Sequence, residues 1–119
     1  MRTRPTWIGS SLGAAVTFYG GGVTAGRFGF APLVDEAPRL RAPWLGLFGD
    51  LDEGIPVDDV ERLRAAAAIS GQPTEVVRYP DAGHGFHCDQ RESYHEPSAR
   101  DAWSRTIAFF GEHLAPAGA

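Results

Sequence analysis

A strand pattern runs directly into a loop of small and polar residues in Thr74-Glu75-Val76-Val77-Arg78-Tyr79-Pro80-Asp81-Ala82-Gly83-His84-Gly85-Phe86. The first six residues alternate in polarity and include β-branched side chains, which predicts a strand over residues 74–79. Gly83 and Gly85 flank His84 and allow the backbone to bend, so that the imidazole can approach a reacting group. The stretch therefore predicts a strand that carries an acid–base histidine at its carboxyl end.

A second stretch, upstream, has the same pattern of a strand followed by a polar loop. The apolar run from Trp44 to Gly49 predicts a strand, and the acidic loop Asp50-Leu51-Asp52-Glu53-Gly54-Ile55-Pro56 follows it. Open α/β sheets place their functional groups just beyond the carboxyl ends of neighbouring strands. We therefore expect the Asp52 carboxylate to hydrogen-bond the His84 imidazole. An acid that orients a histidine, and a histidine that takes a proton from a nucleophile, are two of the three members of a hydrolase triad.

The remaining elements predict an α/β fold with a mostly parallel sheet and flanking helices. A β-favouring run over residues 14–19, which predicts a buried strand, closes at Gly20-Gly21-Gly22. Residues 23–42 lack a sustained period, which predicts a loop with room for one helical turn. Acidic residues after Pro56 and the spacing of Val60, Leu63 and Ala67 predict a helix over residues 57–68. Gly71 ends that helix and Pro73 prevents its continuation.

The last predicted element is an amphipathic helix that begins at Ser98. Ser98 and Asp101 have the spacing of a capping box. Apolar residues then recur at helical spacing, which predicts a stripe that packs on the sheet; its members are Trp103, Ile107, Phe110 and Leu114. The order of strands, loops and helices along the chain indicates one domain-sized unit.

Composition excludes several classes of protein. The 119 residues carry a net charge of −4, all 11 basic residues are arginine, and no basic block marks a nucleic-acid surface. No apolar run is long enough to span a bilayer, and no signal-peptide core follows the basic start, which predicts a cytoplasmic location without a membrane partner. The single cysteine, Cys88, fits a reducing compartment. We interpret it as a partly buried thiol without chemistry; the alternative is a cysteine nucleophile.

Other clusters do not have the spacing of cofactor or metal sites. His84, His87, Cys88 and His95 could be read as a zinc cluster, but structural zinc sites usually show paired motifs. Asp50, Asp52 and Glu53 lack the spacing of a calcium loop. Gly20-Gly21-Gly22 lacks the lysine and hydroxyl residue of a phosphate-binding loop. We expect no cofactor and no metal.

Several motifs in combination resemble the C-terminal half of the dienelactone hydrolase family, a branch of the α/β-hydrolases. They are Phe18-Tyr19-Gly20-Gly21, Gly49-x-x-Asp52-x-x-x-Pro56, Tyr79-x-x-Ala82-Gly83-His84-Gly85-Phe86 and the C-terminal helix. The resemblance implies a partial α/β-hydrolase fold and a small-molecule ester or lactone as substrate. It also implies that Asp52 is the triad acid, with Asp50 as a competitor, and that His84 is the triad base.

The nucleophile is the member of the triad that the sequence does not identify. Gly9-Ser10-Ser11-Leu12-Gly13 fits the Gly-x-Ser-x-Gly elbow with Ser11 at its centre, but an elbow needs a helix next, and here a strand pattern follows. With 15 glycines in the chain, the pattern can also arise by chance. We therefore name Ser11 as a candidate and predict that it is not the nucleophile.

The lack of a convincing nucleophile elbow determines the organisation that we expect for the chain. Residues 1–13 are interpreted as a segment that does not match the family, and residues 14–119 as the C-terminal part of a hydrolase domain that lacks its first half. The alternative function is a non-catalytic fragment or assembly module. In either case we expect self-association through an exposed sheet edge.

Overall fold

The computed structural model of the protein describes residues 13–23 and 31–114. Its sheet has three parallel strands in the order β1 (Ala15–Phe18), β2 (Trp44–Gly49) and β3 (Thr74–Tyr79). Trp44 pairs with Ala15 on one side and with Thr74 on the other, so the strands start level with one another. The predicted α/β class is confirmed, and the carboxyl ends of the strands meet at one edge of the sheet.

Helices connect and cover the strands. Helix α1 (Leu33–Glu36) runs into a 3₁₀ turn (Ala37–Arg39), α2 (Val57–Ala68) connects β2 to β3, and α3 (Glu96–His113) closes the described part of the chain. The predicted bounds of β2, α2 and β3 are confirmed, and the predicted loop over 23–42 contains these two short helical turns where it is described. Within the described ranges, no helix is both long and apolar enough to cross a membrane.

The core lies on both faces of β2, whose six residues are all buried. On one face, Trp44 and Phe48 pack against α2, where Val60, Leu63 and Ala67 are almost fully enclosed, as their spacing predicts. On the other face, the core consists of β2 leucines, the loop after β3 and small α3 residues; its buried members are Leu45, Leu47, Tyr79, Ala82, Phe86, Ala102 and Phe109. Burial on both faces is typical of the centre of a parallel sheet.

The start of α3 differs from the prediction. The helix begins at Glu96, and its N-cap is His95, whose Nδ1 accepts a hydrogen bond from the Ser98 backbone N–H at 3.4 Å and lies 2.6 Å from Ser98 Oγ. Ser98 is thus a buried residue inside the first turn and not the cap. An imidazole nitrogen at the cap position can accept from the free amides of the first turn as a serine hydroxyl does.

The predicted packing face of α3 is also wrong. Trp103, Ile107 and Leu114 are 53%, 55% and 43% exposed. The face that packs inward is one residue, or about 100° of helix, away; it consists of Ser98, Ala99, Ala102, Thr106 and Phe109. Because these residues are mostly small, the helix axis can approach the large side chains of the sheet, which supply the volume of the core.

Candidate active site

The loops that follow β2 and β3 are joined by backbone hydrogen bonds. Asp50 N–H donates to the Tyr79 carbonyl and Leu51 N–H to the Ala82 carbonyl, both at 2.9 Å. A β-carbon at Gly49 would collide with the Ala82 carbonyl, so this approach requires glycine. The two loops therefore form one rigid rim at the carboxyl edge of the sheet.

This rim brings Asp52 and His84 together. Asp52 Oδ2 accepts a hydrogen bond from His84 Nδ1 at 2.7 Å, and Asp52 Oδ1 accepts one from the Gly54 N–H at 2.9 Å. The Asp52 side chain is 3% exposed and that of His84 is 50% exposed. The predicted contact is present. Since an ionised carboxylate only accepts, the tautomer that fits this contact carries its proton on Nδ1, and in the neutral ring Nε2 is then the acceptor.

Asp50, the competing acid, has a different partner. Its two carboxylate oxygens accept from Arg78 Nε and Nη2 at 2.8 and 2.9 Å. These hydrogen bonds, and to a lesser extent the Arg78 charge, hold the pKa of Asp50 below its usual value, against the opposing effect of partial burial. Asp50 therefore fixes the outer side of the rim, and Asp52 is the carboxylate that reaches the histidine.

The loop after β3 turns as its glycines predict. Gly85 has a φ of 81°, in the left-handed region that glycine adopts most readily. A β-carbon there would press on the Arg91 guanidinium, because the Arg91 side chain lies across this part of the loop. The turn presents the His84 ring outward while Phe86, two residues later, is fully buried. One loop thus anchors in the core and exposes an imidazole.

Sequence reasoning missed Tyr19, which lies at the end of β1 beside this pair. Its ring centroid is 4.8 Å from that of His84 and 5.5 Å from that of Phe86. Burial raises the pKa of Tyr19, Cys88 adds to that effect, and Arg91 opposes it. A signal existed, since Tyr19 immediately follows a strand at the same sheet edge. In the sequence, Tyr19 stands out only as part of the family motif Phe18-Tyr19-Gly20-Gly21.

The other candidate residues occupy separate places. The His87 ring packs at a tilt against both Phe18 and Trp103, with centroids at 4.8 and 6.0 Å, and His95 caps α3. Cys88 is exposed, which corrects the expectation of a partly buried thiol, because it lies in a stretch, residues 88–92, that is exposed throughout. No group of three potential metal ligands converges within residues 13–23 and 31–114. Ser11 lies outside the described residues.

Comparisons with known sequences identify the family. Residues 7–114 match the model of the dienelactone hydrolase family, so the match begins within the segment 1–13 that the sequence motifs alone leave outside the family. A protein of Escherichia coli O157:H7 named "Putative carboxymethylenebutenolidase" is 41% identical over 92% of this chain and 42% of its own length. A protein of the same name from Salmonella typhimurium is 42% identical over 92% of this chain and 43% of its own length. The chain thus spans less than half the length of these relatives.

Comparisons with solved structures establish the fold. A crystal structure from Klebsiella pneumoniae, named "Putative Dienelactone Hydrolase", gives a TM-score of 0.76 at 44% identity, over 83% of this chain and 42% of that one. An acylaminoacyl peptidase from Pyrococcus horikoshii gives 0.66 at 16% identity, over 86% of this chain and 20% of that one. The second similarity concerns the fold alone. Together they support a partial α/β-hydrolase fold.

Proposed function

Because the chain belongs to the dienelactone hydrolase family, we propose that it supplies the base and the acid of a triad that hydrolyses a carboxylic ester or lactone. The observation that supports this proposal is the 2.7 Å hydrogen bond between His84 Nδ1 and Asp52 Oδ2. A buried acceptor on one side of a half-exposed imidazole is the arrangement that a general base requires. The substrate is a small molecule, and neither nucleic acid nor a membrane is part of the proposal.

In the proposed mechanism, His84 Nε2 takes the proton of a nucleophile as it attacks the acyl carbon. The imidazolium that forms is stabilised by Asp52, which remains ionised. The same proton then passes to the leaving alkoxide, which leaves an acyl-enzyme. Water attacks the acyl-enzyme with His84 again as base, and the imidazolium then returns this proton to the nucleophile as the acyl bond breaks. The carboxylic acid product is released and ionises. No step of this sequence needs a cofactor or a metal.

We further propose that Ser11 is not this nucleophile and that the nucleophile elbow lies outside this sequence. The support is the position of β1, which begins at Ala15, only four residues after Ser11. An elbow places its serine ahead of a helix whose N-terminus contributes to the oxyanion site. In this reading residues 14–119 are the part of the domain that carries Asp52 and His84, and residues 1–13 do not belong to the elbow.

Hydrolysis of a chromogenic acetate ester by the purified chain tests the proposal. Because the proposed elbow lies outside this sequence, we expect only slow hydrolysis, in which His84 Nε2 takes the proton of a directly attacking water. Its rate should fall by about 100-fold or more in His84→Ala and should also fall in Asp52→Asn. The matched control is Ser11→Ala, which should leave the rate unchanged. Hydrolysis that survives His84→Ala contradicts the role of His84.

The second candidate function is a non-catalytic assembly module. One observation favours it: within the described residues, β1 pairs only with β2, and its outer edge is open. Such an edge can pair with another strand, and self-association is part of this candidate. Absence of measurable ester hydrolysis would favour the module over the enzyme.

The proposed location is the cytoplasm, on the grounds of the single cysteine.

A further inference from the structure

Tyr19 has an unusual backbone conformation. Its φ is 39°, and within the described ranges it is the one non-glycine residue with a positive φ. A bulky side chain in this region is strained, and strain of this kind persists where surrounding contacts impose it. Such residues concentrate at functional sites, so the contacts of Tyr19 indicate what the strain achieves.

The contacts hold the ring in one place. The Tyr19 N–H donates to the Leu47 carbonyl at 2.6 Å, which keeps the residue in register with β2 although its backbone has left the strand conformation. The ring packs edge-on against Phe86 at 5.5 Å, with an interplanar angle of 73°. Because Phe86 is fully buried, the Tyr19 ring is supported from the core.

The same ring also contacts His84. The two ring centroids are 4.8 Å apart, at an interplanar angle of 55°. The hydrogen bond from Nδ1 to Asp52 fixes one atom of the imidazole, but the ring can still rotate about the axis of that hydrogen bond. Gly83 and Gly85 have no side chain that could restrain the ring. The Tyr19 ring therefore supplies a contact that restrains this rotation.

We propose that Tyr19 is a positioning residue: its ring fixes the plane of the His84 imidazole and shields the Nδ1–H···Oδ2 hydrogen bond to Asp52 from water. The left-handed backbone turns the ring out of the strand direction and against the histidine. The catalytic relevance of this inference rests on the proposed function, but the restraint itself is a property of the three side chains.

Proton NMR of the intact chain tests the restraint without an activity assay. We expect a low-field resonance from the His84 Nδ1 proton, slow to exchange with water and absent in His84→Gln. Tyr19→Phe, the matched control, should keep the resonance because it keeps the ring. Tyr19→Leu should lose it, while amide resonances elsewhere report an intact fold.

A second variant covers failure of Tyr19→Leu to fold. Asparagine tolerates a positive φ, so Tyr19→Asn relieves the backbone while removing the ring, and its resonance should also be lost. The inference is overturned if the wild type lacks a slowly exchanging resonance, if Tyr19→Phe loses it, or if a folded Leu or Asn variant keeps it unchanged. Loss of the proposed hydrolase activity alone leaves this result standing, so the two failures are distinguishable.

Discussion

Gly49 is the residue on which the geometry of the rim depends most directly. A β-carbon there would collide with the backbone carbonyl of Ala82, which cannot rotate away as a flexible side chain could. Gly83, on the facing loop, has no heavy atom within 4 Å of its own built β-carbon, and its φ is not positive. The two glycines therefore differ in what they require.

We predict that Gly49→Ala destabilises the protein by about 1–3 kcal/mol, the usual cost of forcing extra volume into a packed site. Gly83→Ala is the matched control and should change stability by no more than about 0.5 kcal/mol. Urea unfolding followed by circular dichroism measures both. Equal stability of the two variants would show that the approach of the loops is looser than the structure indicates.

The proposal that Ser11 is not the nucleophile can be tested by chemical labelling. We predict that a serine-directed fluorophosphonate does not label Ser11, since activation of a serine needs an adjacent base and an elbow before a helix. Mass spectrometry of the treated protein gives the site and the extent of modification. Stoichiometric labelling at Ser11 that disappears in His84→Ala would make Ser11 the nucleophile after all.

At the scale of elements, a cluster of polar side chains at the edge of the core connects α3 to β3. Tyr79 Oη donates to Asp101 Oδ2 at 2.7 Å, and Arg105 Nε donates to the same oxygen at 2.7 Å. Arg105 Nη1 also reaches Glu75 on the strand at 3.1 Å. These contacts hold the helix at a fixed rotation, with its small residues toward the sheet.

This cluster predicts a pH-dependent contribution to stability. The Tyr79 hydrogen bond, followed by the Arg105 hydrogen bond, lowers the pKa of Asp101. A carboxyl with a lowered folded-state pKa stabilises the fold above its unfolded value of about 3.9 and loses that effect as the pH falls through the folded value. The difference in Tm between wild type and Asp101→Asn should therefore be full at neutral pH and shrink in acid.

Tyr79→Phe is the companion variant, because it removes the hydroxyl and leaves the ring in the core. We expect a loss of about 1 kcal/mol at neutral pH. A Tm difference for Asp101→Asn that stays constant from neutral to acid pH would mean that the carboxylate charge does not carry the stabilisation.

The elements also show what sequence could and could not predict. The bounds of β2, α2 and β3 follow from patterns within single segments, and the Asp52–His84 contact follows from the rule that parallel strands end together. The rotation of α3 did not follow, because two faces one residue apart both satisfied a helical period, and the choice depends on the volume already filled by the sheet. The place of Tyr19 at the sheet edge follows from its position after a strand, but its left-handed turn is imposed by tertiary contacts and leaves no local pattern.

At the scale of the whole molecule, the open edge of β1 and the outer face of α3 form one surface. Phe18, at the end of β1, packs against the His87 ring, which packs against Trp103 of α3. At the other end, a β-carbon built on Gly13 would lie 2.7 Å from Leu114 Cδ2. The exposed apolar residues of α3 thus run alongside the strand whose outer edge is unpaired within the described residues.

We predict that this surface makes the chain self-associate. Ala15 and Tyr19 donate their N–H groups to carbonyls at Pro43 and Leu47, so alternation along the strand points the Val16 N–H to the open edge. An edge with free amides next to apolar side chains is a template for pairing with another strand. Sedimentation velocity should show an average mass that rises with protein concentration, and the thermal midpoint should rise with it.

Val16→Pro tests the edge itself. Proline removes the outward N–H without removing a hydrogen bond to β2, and edge strands tolerate it. We expect Val16→Pro to abolish the concentration dependence and the matched control Val16→Thr, which keeps the N–H, to retain it. Trp103→Gln changes only the exposed helix face and separates its contribution from that of the strand. A wild-type chain that sediments as a compact monomer at all concentrations, with one cooperative and concentration-independent thermal transition, would show that the edge of β1 is not a pairing surface.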